Sequence, residues 1–189
     1  MFDVFHKYIM SKGGISEAEY ELIEAAFTPK KLRKKQYFLQ EGDVSRHFAF
    51  VSKGCMRLYT VDDKGNEHII QFALENWWIS DRESLLSGNP SKYNIDALED
   101  CELLVAAPKT MRDLVDRVPN FARMMEMMQQ NSFVASQKRI QAAISFTAEE
   151  KYNQFIQTYP DIVQRVPQHM IASYLGITRE TLSRIRKQK

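Results

Sequence analysis

Apolar positions along this chain change rhythm twice. Up to about residue 30 they recur at helical spacing, with Ser16 and Glu19 placed as a capping box ahead of Tyr20, Leu22, Ile23 and Phe27. From Gln36 to about Ala107 short apolar runs replace that period. Tyr37-Phe38-Leu39, Phe48-Ala49-Phe50-Val51, Met56-Arg57-Leu58-Tyr59-Thr60-Val61 and His68-Ile69-Ile70-Gln71-Phe72 read as strands, followed by Ile95-Asp96-Ala97-Leu98 and Glu102-Leu103-Leu104-Val105. Glu41-Gly42-Asp43, Lys53-Gly54 and Asp62-Asp63-Lys64-Gly65-Asn66 between them are turn chemistry. Short strands so spaced predict a sandwich or small barrel.

Beyond Pro108 the helical period returns. A short helix is predicted from about Lys109 to Val115, and Pro119 marks the break before the next. Phe121 to about Ser145 holds no Gly or Pro and would extend roughly 35 Å at about 1.5 Å per residue. Its stripe of Phe121, Met125, Met128, Ser132 and Ala135, widened by Met124, Met127 and Val134, can be buried against its own sheet or against a symmetry mate. The motif that follows favours the second, which predicts a homodimer with Phe121, Met124, Met125, Met128 and Ala135 on the dimer helix. Thr147 and Glu150 form another capping box, opening a helix with Tyr152, Phe155, Ile156 and Tyr159 that Pro160 stops.

The last stretch carries the chemistry. In Gln168–Lys187, Ala172 is small where two helices must approach, and Gly176 supplies a positive φ at the turn. Ile171, Leu175, Ile177, Leu182 and Ile185 are the apolar positions that lock such a pair together, and Thr178 is an N-cap for the second helix. This is a helix-turn-helix pattern. On its second helix Arg179, Glu180, Ser183 and Arg184 fall near the end that enters a major groove. Arginine bonds guanine O6 and N7 in a bidentate way, and glutamate accepts from cytosine N4, so these four are the candidate base readers. Thr178, Thr181, Arg186 and Lys187 suit phosphate oxygens.

Charge agrees with that division. The 189 residues carry a net +2, yet from Arg165 onward there are six cations against one anion, while the rest carry 20 cations against 23 anions. A basic end on a mildly acidic body fits a polyanionic partner for that end. A second basic run, Lys30-Lys31-Leu32-Arg33-Lys34-Lys35, reads as an exposed loop and sheet edge. Cys55 and Cys101 are too few for a disulfide framework and read as packed, reduced thiols. His6, His47, His68 and His169 lack metal-ligand spacing, so neither metal nor cofactor is expected. No apolar run approaches the roughly 20 residues that span a bilayer, and Met1-Phe2-Asp3-Val4-Phe5-His6-Lys7 is unlike a signal peptide, which predicts a cytoplasmic protein.

With these residues in view, the sequence resembles the CRP/FNR superfamily of bacterial regulators over nearly its whole length. Thr178-Arg179-Glu180-Thr181-Leu182-Ser183-Arg184 looks like that family's recognition helix. Glu41-Gly42-Asp43, Phe50-Val51-Ser52-Lys53-Gly54 and Arg57-Leu58-Tyr59 look like its β-roll, and the helix from Phe121 is similar to its dimerisation helix. The resemblance implies an α+β fold: an effector-type β-roll of the cyclic-nucleotide-binding kind with flanking helices (1–120), a dimerisation helix (121–146) and a helix-turn-helix domain without a full β-wing (147–189).

Two departures qualify what the resemblance implies. Members that bind cyclic nucleotides carry a Gly-Glu and an Arg-Ser/Thr pair, and neither is present in Glu75–Arg82 or Asn89–Asn94. A cyclic nucleotide is therefore not the expected effector, and Trp77, Trp78, Arg82, Lys92 and Tyr93 remain as a candidate pocket for an unknown one. The sequence also stops at Lys189, just after the recognition helix, where members commonly continue into a wing; fewer phosphate contacts and a shallower salt dependence are expected. The resulting expectation is a homodimeric transcription regulator on double-stranded DNA, with RNA polymerase a further partner of an activator. The competing class is a ligand-binding or protein-interaction module whose helical tail docks a protein. An enzyme is not expected, since no nucleophile motif or carboxylate cluster is visible.

Overall fold

The computed structural model describes residues 1–188. Two short helices open the chain, α1 (Phe2–Ser11) and α2 (Glu17–Ala25). Ser16 caps α2 reciprocally: the Glu19 N–H donates to Ser16 Oγ at 3.3 Å, and the Ser16 N–H donates to the Glu19 carboxylate at 2.8 Å. The strands are β1 (Thr28–Leu32), β2 (Tyr37–Leu39), β3 (Phe48–Lys53), β4 (Met56–Val61), β5 (Glu67–Ala73), β6 (Trp78–Ile79), β7 (Asn94–Ala97) and β8 (Cys101–Ala106), with α3 (Arg82–Ser87) between β6 and β7. They form two antiparallel sheets, in the orders β1-β8-β3-β6 and β2-β7-β4-β5.

The unbroken apolar runs are explained by what covers each sheet. Ala49, Val51, Leu103 and Val105 of the first sheet point inward against Met56, Leu58 and Ile95 of the second. Their neighbours Phe50, Leu104 and Ala106 point outward, onto α1, α2 and the helices that follow β8. On the second sheet Tyr59, Ile69 and Phe72 point outward onto the C-terminal helices, with Cys55 just before β4 in the same cluster. Strands buried on both faces lose the alternation of a half-exposed strand.

The remaining helices are α4 (Pro108–Arg117), α5 (Pro119–Ser145), α6 (Ala148–Thr158), α7 (Pro160–Arg165), α8 (Gln168–Leu175) and α9 (Arg179–Lys187). Pro119 and Pro160 occupy first-turn positions, where a missing N–H costs nothing, so Pro160 starts α7 as well as following α6. Thr147 caps α6 in a second reciprocal box, with Glu150 N–H donating to Thr147 Oγ1 at 3.2 Å. At 27 residues α5 is about 40 Å long.

One expectation needs correction. Helical spacing was expected up to about residue 30, with an exposed loop and sheet edge over Lys30–Lys35, but a strand already begins at Thr28, and Thr28–Leu32 pairs with β8 at the sheet edge. Its side chains are exposed up to Leu32, and lysines on an edge discourage pairing with another chain, so it carries little apolar signal. Among the described residues no helix is long and apolar enough to cross a membrane.

Candidate nucleic-acid interface

The turn between α8 and α9 is built by Gly176. At φ 65°, ψ 36° it ends α8 in the left-handed region; its own N–H donates to Ser173 O at 3.1 Å and the Ile177 N–H to Ala172 O at 3.0 Å. That pair of bonds is a Schellman cap, which closes the open carbonyls of α8 and reverses the chain. Thr178 then starts α9, its Oγ1 accepting the Thr181 N–H at 3.1 Å. Leu182 and Ile185 of α9 are buried with Ile171 and Ala172 of α8, Tyr152 and Phe155 of α6, and Ile162 of α7.

That packing fixes which face of α9 meets solvent. Arg179, Glu180, Ser183, Arg184 and Lys187 are exposed and line one shallow concave surface with Gln188. Arg186 is exposed but flanks this surface. Among the described residues none of Arg179, Glu180, Arg184 and Lys187 forms an ion pair. The Thr178 hydroxyl is committed: besides its capping bond it donates to Thr181 Oγ1 at 3.0 Å, so it has no proton left for a phosphate. Arg165, counted with the basic end, is also committed elsewhere. Its guanidinium clamps Glu75 (2.7 and 3.0 Å) and Glu99 (3.0 and 2.6 Å), joining α7 to the β-sheet sandwich. Burial alone would raise the Glu75 carboxyl; the Arg165 guanidinium and the Gly54 N–H outweigh it and hold the group below its ordinary value.

A second contact, which the sequence reading missed, centres on α8 and β5. Leu58 and Tyr59 of β4 face Gln71 and Ile69, so Ile70 is an extra, bulged residue on β5. The Ile69 N–H donates to Ser173 Oγ at 3.0 Å, and that hydroxyl donates to Glu67 O at 2.7 Å. Arg139 of α5 donates to the carbonyls of Ile69 (3.1 Å), Ile70 and Tyr174 (3.3 Å), and its guanidinium lies 4.0 Å from the Tyr174 ring centre.

The dimer-helix expectation fares differently along its length. Phe121 and Met124 are buried in the core shared with α1, α2 and α4, and Met125 and Met128 pack against it; Ala135 is exposed. The first four thus serve their own subunit, because the start of α5 lies against the first sheet's helical cover. The large exposed apolar side chains of α5 are Met127, Phe133, Val134, Ile140 and Ile144. Phe133, Ile140 and Ile144 fall on one four-three spacing with Glu126, Gln130 and Gln137, so they share one face of α5. That spacing was available in the sequence and was masked by the more apolar methionine stripe.

The candidate effector residues are not gathered into one pocket. Trp78 packs with Phe5, Phe27 and Phe50 beneath α1 and α2. Trp77 faces the C-terminal helices, its ring 5.6 Å from that of Tyr159. Arg82 and Lys92 are exposed, while Tyr93 leans on the sandwich core. Around Arg82 the chain is bonded within itself: Ser84 N–H donates to Asp81 Oδ1 (3.2 Å), Ser84 Oγ to Asn89 O (2.6 Å), and Ser45 N–H to Ser84 Oγ (2.9 Å). No group of three or more metal-ligating side chains occurs among the described residues.

A two-sheet roll followed by a long helix and a helix-turn-helix defines the class, and residues 29–118 match the cyclic nucleotide-binding domain family. Over most of its length the chain is similar to bacterial regulatory proteins. It is 25% identical over 183 residues to regulatory protein HlyX of Actinobacillus pleuropneumoniae, covering 90% of this chain and 75% of that one. The fumarate and nitrate reduction regulatory protein of Escherichia coli is likewise 25% identical, over 90% of this chain and 72% of its own. FixK2 from Bradyrhizobium japonicum superposes with a TM-score of 0.73 at 20% identity, over 86% of this chain and 83% of FixK2.

Proposed function

We propose that this protein is a sequence-specific DNA-binding transcription regulator that acts as a homodimer on a two-fold-related site. The observation that carries the reading is the outer face of α9, where Arg179, Glu180, Ser183, Arg184 and Lys187 share one exposed surface with no intramolecular ion pair among the described residues. Polar side chains left uncompensated on the outer face of such a helix are what base edges and phosphates take up. Arg179, Glu180, Ser183 and Arg184 read bases; Thr181, Arg186 and Lys187 hold backbone. The dimer forms along α5 through Phe133, Ile140 and Ile144, which sets two recognition helices about 34 Å apart on successive major grooves. The protein acts in the cytoplasm, is a regulator rather than an enzyme, and contacts RNA polymerase where it activates.

Selection of bound sites from random duplexes at stated salt tests this. A palindromic site is expected, and Arg179→Ala or Arg184→Ala should each weaken it by about 1–3 kcal/mol. Recovery of no preferred sequence, or variants that bind it as tightly as the parent, would overturn the assignment.

A further inference from the structure

Between β5, α5, α6 and the C-terminal turn of α8 lies a groove of about 730 Å³. That volume lies in the range of sites for small molecules. It is walled by four elements that the residue-146 break divides: the bulged strand and α5 on one side, α6 and α8 on the other. No residue of the α3 loop lines it.

Its charge is one-sided. Lys138, Arg139 and Lys151 line it, and no Asp or Glu does among the described residues. None of the three cations forms an ion pair among those residues. Arg139 is anchored by three carbonyl acceptors, which take three of its five N–H bonds and leave its charge without a carboxylate partner among the described residues. Lys151 gives one bond, to Ala143 O at 3.2 Å, and keeps two donors. The half-buried rings of Tyr159 and Tyr174, over a buried Phe155, add aromatic surface to the same groove. Cations without counter-charge beside rings in a concave site are arranged for an anion with a flat ring body.

We infer that this groove binds a nucleotide-sized, ring-bearing organic anion, with its charged group on the Lys138 and Lys151 ammoniums and its ring against the aromatic wall. Arg139 supplies a fixed positive field and does not move to meet the ligand. Because the ligand touches both sides of the break at Phe146, its binding favours the arrangement in which α8 lies on β5; in the reading proposed above, that arrangement positions α9.

The test uses the full-length protein without DNA, so its outcome is independent of operator recognition. The probe is 8-anilinonaphthalene-1-sulfonate, a singly charged anion on fused rings, beside N-phenyl-1-naphthylamine, the same rings without the sulfonate. The anionic probe should saturate at one site per chain. In Lys138→Gln/Lys151→Gln its affinity should fall about tenfold or more, since charge-assisted hydrogen bonds of this kind are each worth about that factor. The neutral probe should bind parent and variant alike, and Lys53→Gln/Lys64→Gln should leave both probes unaffected. Equal affinity of the anionic probe for parent and groove variant, parallel loss of both probes, or no saturable site would overturn the inference.

Discussion

Replacing Ile140 with aspartate separates the two faces of α5. Ile140 is 60% exposed in the single chain, flanked by Phe133 at 63% and Ile144 at 82%. Full burial of such a side chain is worth about 1.5–3 kcal/mol. With more than half of its surface still to cover, Ile140 contributes about 1–2 kcal/mol per protomer, and two-fold symmetry counts it twice. Aspartate forfeits that and places two carboxylates near each other in a seam poor in water, which adds about 2 kcal/mol or more. A combined loss of about 4–6 kcal/mol raises the dimer Kd by about a thousandfold or more. Sedimentation equilibrium across the micromolar range should find Ile140→Asp monomeric where the parent is a dimer, with the variant's melting of secondary structure still cooperative. Met124→Asp, at a site only 5% exposed within the subunit core, should instead fail to fold. A variant at residue 140 that dimerises within tenfold of the parent, or a parent that is monomeric at high micromolar concentration, would refute the assignment of the seam.

Three further outcomes follow from the subunit itself. Gly54 sits at φ +98°, and a Cβ there would lie 2.6 Å from Cys101 Sγ and 2.7 Å from Asp100 O; Gly54→Ala should cost about 2–4 kcal/mol in urea unfolding, and an unchanged midpoint would contradict the packing. Burial pushes the Cys55 thiol up to about 12 and the Cys101 thiol up to about 11. At pH 8 both should therefore react with a disulfide reagent only as fast as the protein unfolds, and rapid stoichiometric labelling of the native state would count against this. The Glu75 carboxyl is held below its ordinary value of 4.5, so its pairing with Arg165 contributes fully above that value and is lost as pH falls through the lower folded one. Trp77 emission, next to Tyr159, should report this acid transition at higher pH in Arg165→Ala; identical titrations in both proteins would exclude the clamp.

Where the sequence was transparent, local chemistry decided the structure. The Ser16–Glu19 and Thr147–Glu150 boxes and the Gly176 turn need only a few neighbouring residues, and each forms as its spacing predicts. The Asp62–Asn66 turn is equally local: Asp62 accepts from the N–H groups of Lys64 and Asn66. What stayed hidden depends on which surface a side chain meets. Periodicity shows that α5 has apolar stripes but does not say that Phe121 and Met124 face their own core while Phe133 and Ile140 face outward. Adjacent Trp77 and Trp78 look like one aromatic patch in sequence, yet at the entry to β6 they turn to different clusters, Trp78 beneath α1 and α2 and Trp77 toward the C-terminal helices. Arg165 reads as part of a basic tail until folding brings Glu75 and Glu99 to it. The lysine-rich β1 reads only as an exposed loop and edge, and its start at Thr28 is not marked, because its one inward apolar side chain is Leu32.

The hydroxyl of Ser173 touches a wider problem. β5 ends its sheet, so its outer N–H and C=O groups have no strand partner. Ser173 substitutes for one rung by taking the Ile69 N–H and giving to Glu67 O, and Arg139 closes the two carbonyls beyond it. A helix and an arginine thus do the work of a missing strand, and any motion that lifts α8 away uncovers an open ladder to water or to another molecule's strand. Repression of aggregation and freedom of the C-terminal helices are therefore opposed at this one rim.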